Sequence, residues 1–261
     1  MQNGRATGWP RSAREILGWM IWTRDGQMHD GQIGAVEDVY LDDRAWAIRH
    51  LVVDARHRLS RRRVLLRPEA IAAADPTHRV LRTAMTRQQV SRGPTVDVAR
   101  PVSRQHDLEL QHCYGFPSYA VSVGAIVVLA PTVLDPGRQA GGDPHLRSVR
   151  AITGYHVHGV DGDIGRDTDF LLAQGSWAIS HLVVSVGSWW PIRKVLVPVD
   201  WIAAVSWGAH AIEVSLPAEA VRLAPEFVSG ADVSHEYWER LDRYYGPAPF
   251  RSTAGDRGWP S

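Results

Sequence analysis

The sequence has little of several things that often identify a function. Its only cysteine is Cys113, so it has no internal disulfide and no thiol-rich metal site. It has one lysine, Lys194, and a formal net charge of +1, so no excess of positive charge favours nucleic acid. The most apolar run, residues 121–130, is half of the roughly 20 residues that a membrane-spanning helix needs. We therefore expect no transmembrane segment, and the polar stretch from 1 to 14 predicts no signal peptide.

The sequence also lacks the short motifs of the common enzyme classes. It contains no P-loop, no G-x-G-x-x-G fingerprint, no G-x-S-x-G turn and no zincin helix. Cys113 has His106 and His112 nearby in sequence, but a single cysteine without a dictated geometry does not indicate a nucleophile. We predict that the protein is not an enzyme and binds no cofactor.

What the sequence does contain is an internal repeat. The segment W-A-I-R-H-L-V-V from Trp46 recurs as W-A-I-S-H-L-V-V from Trp177, a shift of 177 − 46 = 131 residues. At this shift 20 of the 61 pairs from 30/161 to 90/221 are identical, with no gap. Upstream, Gly18 matches Gly154 at a shift of 136, which gives the first copy five extra residues between the two motifs. Two copies of one module therefore form the chain.

Each copy is expected to be mainly β. Short runs rich in β-branched and aromatic residues follow one another at a spacing typical of a small barrel or sandwich, without long helices between them. Asp42-Asp43-Arg44 and Ala173-Gln174-Gly175 are predicted to be equivalent hairpin turns, with Gly175 at positive φ. A short helix is predicted from Pro68 to Ala73, because proline favours the first turn.

A tail follows each set of strands. Ser103 and Ser234 are candidate helix N-caps, and Gly115 and Gly246 are candidate stops, so each tail is predicted to be a short helix. In the second tail, the residues Val233, Tyr237, Leu241 and Tyr244 recur at helical spacing and are expected to pack against the barrel of their own repeat or against the other copy. The predicted organisation is a flexible N-terminus (1–13), repeat 1 with its tail (14–115), a Pro/Gly-rich linker (116–148), repeat 2 with its tail (149–247) and a flexible C-terminus (248–261).

Together these motifs resemble the PRC-barrel family, named for the cytoplasmic domain of the photosynthetic reaction-centre H subunit and also found in the ribosome-maturation factor RimM. The motifs are G-[WY], D-G-x-I-G, W-x-I-x-H-L-V-V and R-[RK]-V-L, and the resemblance covers about 14–91 and 150–222. It implies two tandem small β-barrels that act as an adaptor and not as an enzyme. Unlike the H subunit, the chain is expected to have no N-terminal membrane helix.

The residues that the copies share are expected to be structural. Asp30 and Asp161 precede glycine and are interpreted as turn residues that bond their own backbone. The two repeated histidines are interpreted as buried residues with hydrogen-bond partners, and a proton-relay role by analogy with the H subunit is the alternative. The structural repeat motif comprises Gly34 and Gly165, Trp46 and Trp177, and His50 and His181.

One histidine pair occurs in the second copy alone. His156 and His158 would point to the same face of a strand. Zinc or copper normally needs a third or fourth ligand. Because the first copy has Met20 and Trp22 at these positions, we predict no metal site.

The candidate binding residues lie in the loop where the copies differ most. The first copy has R-H-R-L-S-R-R-R at 56–63, where the second has G-S-W-W-P-I-R-K at 187–194. Arginines attract phosphate or an acidic protein face, and large aromatics anchor protein interfaces. Solvated arginines, and tryptophans that cover the end of the barrel, are the alternative. The candidate partner-binding residues are Trp189, Trp190, Pro191, Arg58, Arg61, Arg62 and Arg63.

Three functions are compatible with this sequence. The leading hypothesis is a non-catalytic adaptor in which the two barrels pair with pseudo-twofold symmetry and dock an unidentified protein partner through the divergent loops. The first alternative is an RNA- or ribosome-associated factor that uses the basic loop 56–67. The second is an H-subunit-like accessory protein in photosynthetic electron transfer, which rests on family analogy alone. We expect a cytoplasmic location, with peripheral attachment to the inner membrane as the alternative.

Overall fold

The two halves of the chain form two sheets with the same strand order. A computed structural model describes residues 9–26, 31–57, 60–92, 145–187, 192–228 and 233–246. The first sheet comprises β1 Met20–Trp22, β2 Gln32–Asp42, β3 Ala47–His57, β4 Ser60–Leu66, β5 Ile71–Asp75 and β6 Val80–Thr83. The second comprises β8 His156–Gly159, β9 Gly162–Leu172, β10 Ile179–Val186, β11 Arg193–Pro198, β12 Ile202–Ser206 and β13 Ala211–Val214. The strand order is β4-β3-β2-β1-β6-β5 in the first sheet and β11-β10-β9-β8-β13-β12 in the second. A mainly β chain with one sheet per repeat is thus confirmed.

The helices of the described residues are short. They are α1 Arg87–Arg92, α2 Val149–Ile152, α3 Ala218–Arg222 and α4 His235–Tyr245. The helix predicted from Pro68 to Ala73 is wrong beyond its first turn, a 3-10 turn at Pro68–Ala70. Ile71 is buried and pairs with Thr83 of β6, so a sheet contact outweighs the local helical preference. Within the described residues, no helix is long and apolar enough to cross a membrane.

The hairpin turns lie where the sequence predicts them. In the second sheet Gly175 has a φ of 70°, as expected for a glycine turn position. In the first sheet the Asp42 carboxylate accepts hydrogen bonds from the amides of Arg44 and Ala45 at 2.8 and 3.0 Å. The two turns therefore close equivalent hairpins with different chemistry.

The repeated glycines Gly34 and Gly165 are required by close contact between strands. A Cβ atom on Gly34 would lie 1.9 Å from the carbonyl oxygen of Asp54 in β3. A Cβ atom on Gly165 would lie 2.0 Å from the carbonyl oxygen of Ser185 in β10. Both distances are far inside van der Waals contact, which explains why both copies keep glycine here.

One apolar core joins the two sheets around a pseudo-twofold axis. The backbone amide of Ile48 donates to the carbonyl of Trp177 at 2.8 Å, and the amide of Ile179 donates to the carbonyl of Trp46 at 2.6 Å. The two hydrogen bonds are related by the repeat, because Ile48 is equivalent to Ile179 and Trp46 is equivalent to Trp177. Trp46 is buried and stacks on Phe170 of the other sheet, with ring centroids 6.3 Å apart. The repeats therefore pair within the chain.

The segment before each repeat crosses to the other repeat. We call residues 9–14 the first arm and residues 145–150 the second arm. Strand β7, Leu146–Ser148, belongs to the second arm and pairs with β2 through Ser148 and Tyr40. The first arm forms an equivalent bridge between Ser12 and Leu171. Ser12 corresponds to Ser148 at the upstream shift of 136 residues, and Tyr40 corresponds to Leu171 at the repeat shift of 131 residues. The sequence predicts a flexible N-terminus at 1–13 and a linker at 116–148. In the structure, residues 9–13 and 145–148 instead pack on the sheets.

Helix α4 covers the outer face of the second sheet. It begins at Ser234, whose hydroxyl accepts from the amide of Tyr237, and ends at Gly246 with a φ of 64°, as predicted. Tyr237 and Leu241 are buried as predicted, whereas Tyr244 is exposed. The hydroxyl of Tyr245 donates to the carbonyl of Leu196 in β11 at 2.8 Å. The tail predicted around 103–115 lies outside the described residues.

Candidate functional site

The two divergent loops are described only in part. Trp189, Trp190, Pro191 and Arg58 lie outside the described residues. Arg61 lies in β4 opposite Arg56, and Arg62 lies opposite Ala55. Both strands that flank the tryptophan loop are described, so the surface at its base can be compared between the copies.

Arg63 is occupied by a partner within its own sheet. Its Nε and Nη2 atoms donate to the two carboxylate oxygens of Glu37, each at 2.7 Å. This bidentate hydrogen bonding raises the pKa of Arg63 and holds the guanidinium against the sheet. The positive charge of Arg63 is therefore balanced inside the protein.

Exposed apolar side chains surround the β11 edge of the second sheet. Ile192, Leu223 and Val228 are 60%, 62% and 65% exposed, and we call them the β11 rim. Arg193, next to Ile192, donates through Nη2 to the carbonyl of Ala224 at 3.2 Å, which places Leu223 near the edge. The backbone amide of Phe227, the residue before Val228, donates to the backbone carbonyl of Lys194 at 2.8 Å. The rim therefore lies at the base of the tryptophan loop.

The repeated histidines are both buried, as the sequence predicts. The Nδ1 atom of His181 forms no hydrogen bond within the described residues. Its ring instead contacts Trp238 of α4, with centroids 5.2 Å apart. Burial lowers the pKa of His181 to about 4, so its ring is neutral at pH 7. This environment does not favour a proton relay through His181.

Two aspartates, the buried Asp38 and the half-buried Asp169, join the arms to the sheets. Ser148 donates to Oδ2 of Asp38 at 2.5 Å, and Ser12 donates to Oδ2 of Asp169 at 2.7 Å. Burial raises the pKa of both carboxyl groups, and these donors oppose that shift. The two aspartates occupy the same repeat position, since 169 − 38 = 131. Their identity is visible in the sequence, but their partners are not.

Asp167, which is buried, has no counterpart in the first copy. Neither carboxylate oxygen of Asp167 accepts a well-formed hydrogen bond within the described residues. Burial, followed by the nearby charge of Asp169, raises the pKa of Asp167 well above its ordinary value. The first copy has Val36 at this position, also buried.

The structure brings an aspartate to the predicted histidine pair. The rings of His156 and His158 are stacked, with centroids 5.9 Å apart and planes 10° apart. Their Nδ1 atoms lie 3.5 and 3.7 Å from Oδ1 of Asp163. We call these three residues the H-H-D triad. Asp163 was not predicted from the sequence, because it lies on the neighbouring strand. Asp161, interpreted as bonding its own turn, instead accepts from the amide of Ala218 at 2.6 Å and caps α3.

Comparison with known proteins found no matching family model and no matching curated protein. The two copies therefore provide the most informative comparison. At the positions of the β11 rim the first copy has Arg61, Arg92 and Asp97, and at those of the H-H-D triad it has Met20, Trp22 and Gln32. The repeated Gly34 and Gly165 lie at tight strand contacts and the repeated His50 and His181 are buried, whereas the rim and triad positions differ in chemistry between the copies.

Proposed function

We propose that this chain is a non-catalytic adaptor of the PRC-barrel family that docks a protein partner on the β11 rim and the adjoining tryptophan loop. Each sheet is proposed to curl into a small barrel, as the family resemblance implies. The repeated motif residues support this proposal: Gly34 and Gly165 lie at tight strand contacts, and Trp46 and Trp177 lie at the pseudo-twofold axis.

The observation that carries the proposal is the apolar character of the rim in one copy alone. The first copy has Arg61 and Arg92 where the second has Ile192 and Leu223. Because the same scaffold accommodates arginine at these positions, folding does not require apolar side chains there. Clustered apolar side chains on a surface are typical of protein interaction sites.

The sequence of the neighbouring loop supports the proposal that the rim is a docking surface. Trp189-Trp190-Pro191 directly precedes Ile192, and tryptophan is enriched among the residues that dominate binding energy. The backbone edge of β11 is partly occupied, because Val195 forms a β-bridge with Glu226. A partner is therefore expected to bind through side-chain contacts and not by adding a strand along this edge. The partner surface that complements the rim is apolar.

The basic loop supports RNA binding less well. Arg63, one of the proposed contacts, is held by Glu37 in a bidentate ion pair. An arginine that is paired within the protein releases fewer counterions on binding a phosphate than a free one does. The net charge of +1 adds no general attraction for RNA.

A crosslinking experiment in the native host tests the adaptor proposal. The tagged chain is crosslinked and purified, and the bound proteins are compared among four forms. These are the wild type, Trp189→Ala with Trp190→Ala, Ile192→Arg with Leu223→Arg, and Val160→Ser. The second pair introduces the residues of the first copy, and Val160, which is 70% exposed in the β8–β9 turn, is the matched apolar control.

We expect one defined protein to be crosslinked to the wild type and to Val160→Ser, and to be lost from both rim and loop variants. Circular dichroism should show that all four forms are folded. A partner that remains bound to the Ile192→Arg, Leu223→Arg variant, or no defined partner for the wild type, would contradict the proposal.

A further inference from the structure

The H-H-D triad has the geometry of a small metal site. In a tetrahedral zinc site with bonds of roughly 2.0 Å, neighbouring ligand atoms are about 3.3 Å apart. The Nδ1 to Oδ1 distances in the triad are 3.5 and 3.7 Å, and one ligand atom from each residue lies within 4.8 Å of the others. These separations are somewhat longer than those around a bound zinc ion, so binding requires the three side chains to move closer together.

The strand arrangement presents the three groups together. His156 and His158 alternate with the buried Val157 on β8, so both rings lie on the outer face. A bulge between β8 and β9 places Asp163 opposite His158. The side chains of His156, His158 and Asp163 are 45%, 43% and 53% exposed. An ion can therefore enter from solvent, and water can complete its coordination.

A second carboxylate, that of Glu213, lies beside the triad. Glu213 of β13 is opposite His158 in the parallel pairing of β13 with β8, and it is exposed. In the first copy the equivalent residue is Arg82, whose guanidinium lies over the ring of Trp22, 5.6 Å from its centroid. The same place in the fold thus has a cation on an indole in one copy and a carboxylate beside an imidazole in the other.

The neighbouring cations do not fill the triad. Arg166 lies opposite His156, and its Nη1 atom donates to the carbonyl of Gly154 at 3.0 Å. Arg222 donates through Nη2 to the backbone carbonyl of Asp163, which leaves the carboxylate oxygens of that residue to face the histidines. These two positive charges weaken the expected affinity for a cation, but their guanidinium groups are bonded to backbone carbonyls and not to the ligand atoms.

We propose that His156, His158 and Asp163 bind one divalent transition-metal ion of the zinc type. Two imidazoles and a carboxylate suit Zn²⁺, Cu²⁺ and Ni²⁺ better than Ca²⁺ or Mg²⁺, which prefer an all-oxygen shell. Water or Glu213 completes the shell. The site is independent of the proposed adaptor function, because β8 and β9 carry it and the partner surface lies at β11.

Titration calorimetry with ZnCl₂ tests the site on the full chain, with any affinity tag removed. We expect one ion per chain with a micromolar dissociation constant. The variants His156→Met and Asp163→Gln carry the residues of the first copy and should each weaken binding at least tenfold. His78→Ala is the matched control, because His78 is an exposed histidine 2.8 Å from the Asp75 carboxylate in the first sheet.

Visible absorption of the Co²⁺-loaded chain gives a second readout, since tetrahedral Co²⁺ absorbs much more strongly than hexa-aqua Co²⁺. We expect the strong absorption of tetrahedral Co²⁺ in the wild type and in His78→Ala. Both triad variants should lose this absorption. The proposal is overturned if the wild type binds no Zn²⁺ at millimolar concentration. Equal binding by the wild type and Asp163→Gln, or equal losses in Asp163→Gln and His78→Ala, would also overturn it.

Discussion

The hydroxyl of Ser148 donates a 2.5 Å hydrogen bond to the carboxylate of Asp38, which lies 110 residues earlier in the chain. The bond crosses from the arm of one repeat to the sheet of the other. Ser12 and Asp169 form the same bond in the opposite direction at 2.7 Å. The pairing of the repeats therefore depends on polar contacts as well as on the shared apolar core.

Ser148→Ala should lower the free energy of unfolding by about 1–3 kcal/mol, because it removes a donor from a buried carboxylate. Ser12→Ala should have a similar effect through Asp169. Urea denaturation at pH 7 measures both. Ser180→Ala is the control, because its hydroxyl makes a single long contact of 3.4 Å with the carbonyl of Leu171. Equal unfolding free energies for all three variants would refute the role of the arms.

Asp167→Val should raise the free energy of unfolding at pH 7 by about 1–3 kcal/mol, because it removes a buried carboxylate that has no well-formed hydrogen bond. The folded-state pKa of Asp167 is raised, so the wild type gains stability as the pH falls through that pKa. The advantage of the variant should therefore shrink towards pH 4. Asp169→Val, two residues along β9, should instead destabilise the protein, because Asp169 has Ser12 as a donor. Chemical denaturation at several pH values distinguishes these outcomes.

The His181→Leu variant should lose less free energy of unfolding than the wild type as the pH falls from 6.5 towards 4. The folded-state pKa of His181 is about 4, below its ordinary value of 6.5. The stability that depends on the neutral ring is complete above pH 6.5 and declines as the pH falls towards 4, by about 3 kcal/mol. The difference in unfolding free energy between variant and wild type should grow across this window. His235→Ala, at an exposed position on α4, should follow the wild type; an unchanged slope for His181→Leu would contradict the assignment.

Gly34→Ala should destabilise the protein by about 3 kcal/mol or more, because its methyl group would overlap the carbonyl oxygen of Asp54. Gly162→Ala is the matched control, since no atom lies within 4 Å of a Cβ placed there. Thermal unfolding of the two variants should differ clearly. Similar melting temperatures would show that the strands can separate locally at little cost.

The strand content was predictable from sequence because the repeat supports each strand assignment twice. The Trp46 and Trp177 segments share seven of eight residues, which fixes the register of the two copies. The helix expected after Pro68 did not form beyond one turn, because the pairing of Ile71 with Thr83 is a long-range contact. Local propensity does not contain such information.

The most specific contacts depended on tertiary structure. The H-x-H pattern gave two members of the triad, but Asp163 joins them through strand register and a bulge. Asp38 and Asp169 are identical at the repeat shift, yet no local pattern shows that each bonds the arm of the other copy. Periodicity predicts the face of a strand on which a residue lies, but not the distant segment that covers it.

The exchanged arms have a consequence for the ancestry of the chain. Two separate single-repeat subunits could make the same serine–aspartate bonds as a symmetric homodimer, in which each subunit lends its arm to the other. Gene duplication and fusion would then convert contacts between subunits into contacts within one polypeptide. Once fused, the copies no longer had to be identical, so one outer face could acquire imidazoles and carboxylates while its twin kept a cation over an indole. Covalent linkage of two such copies would therefore permit different outer faces while the contacts at the axis stay the same.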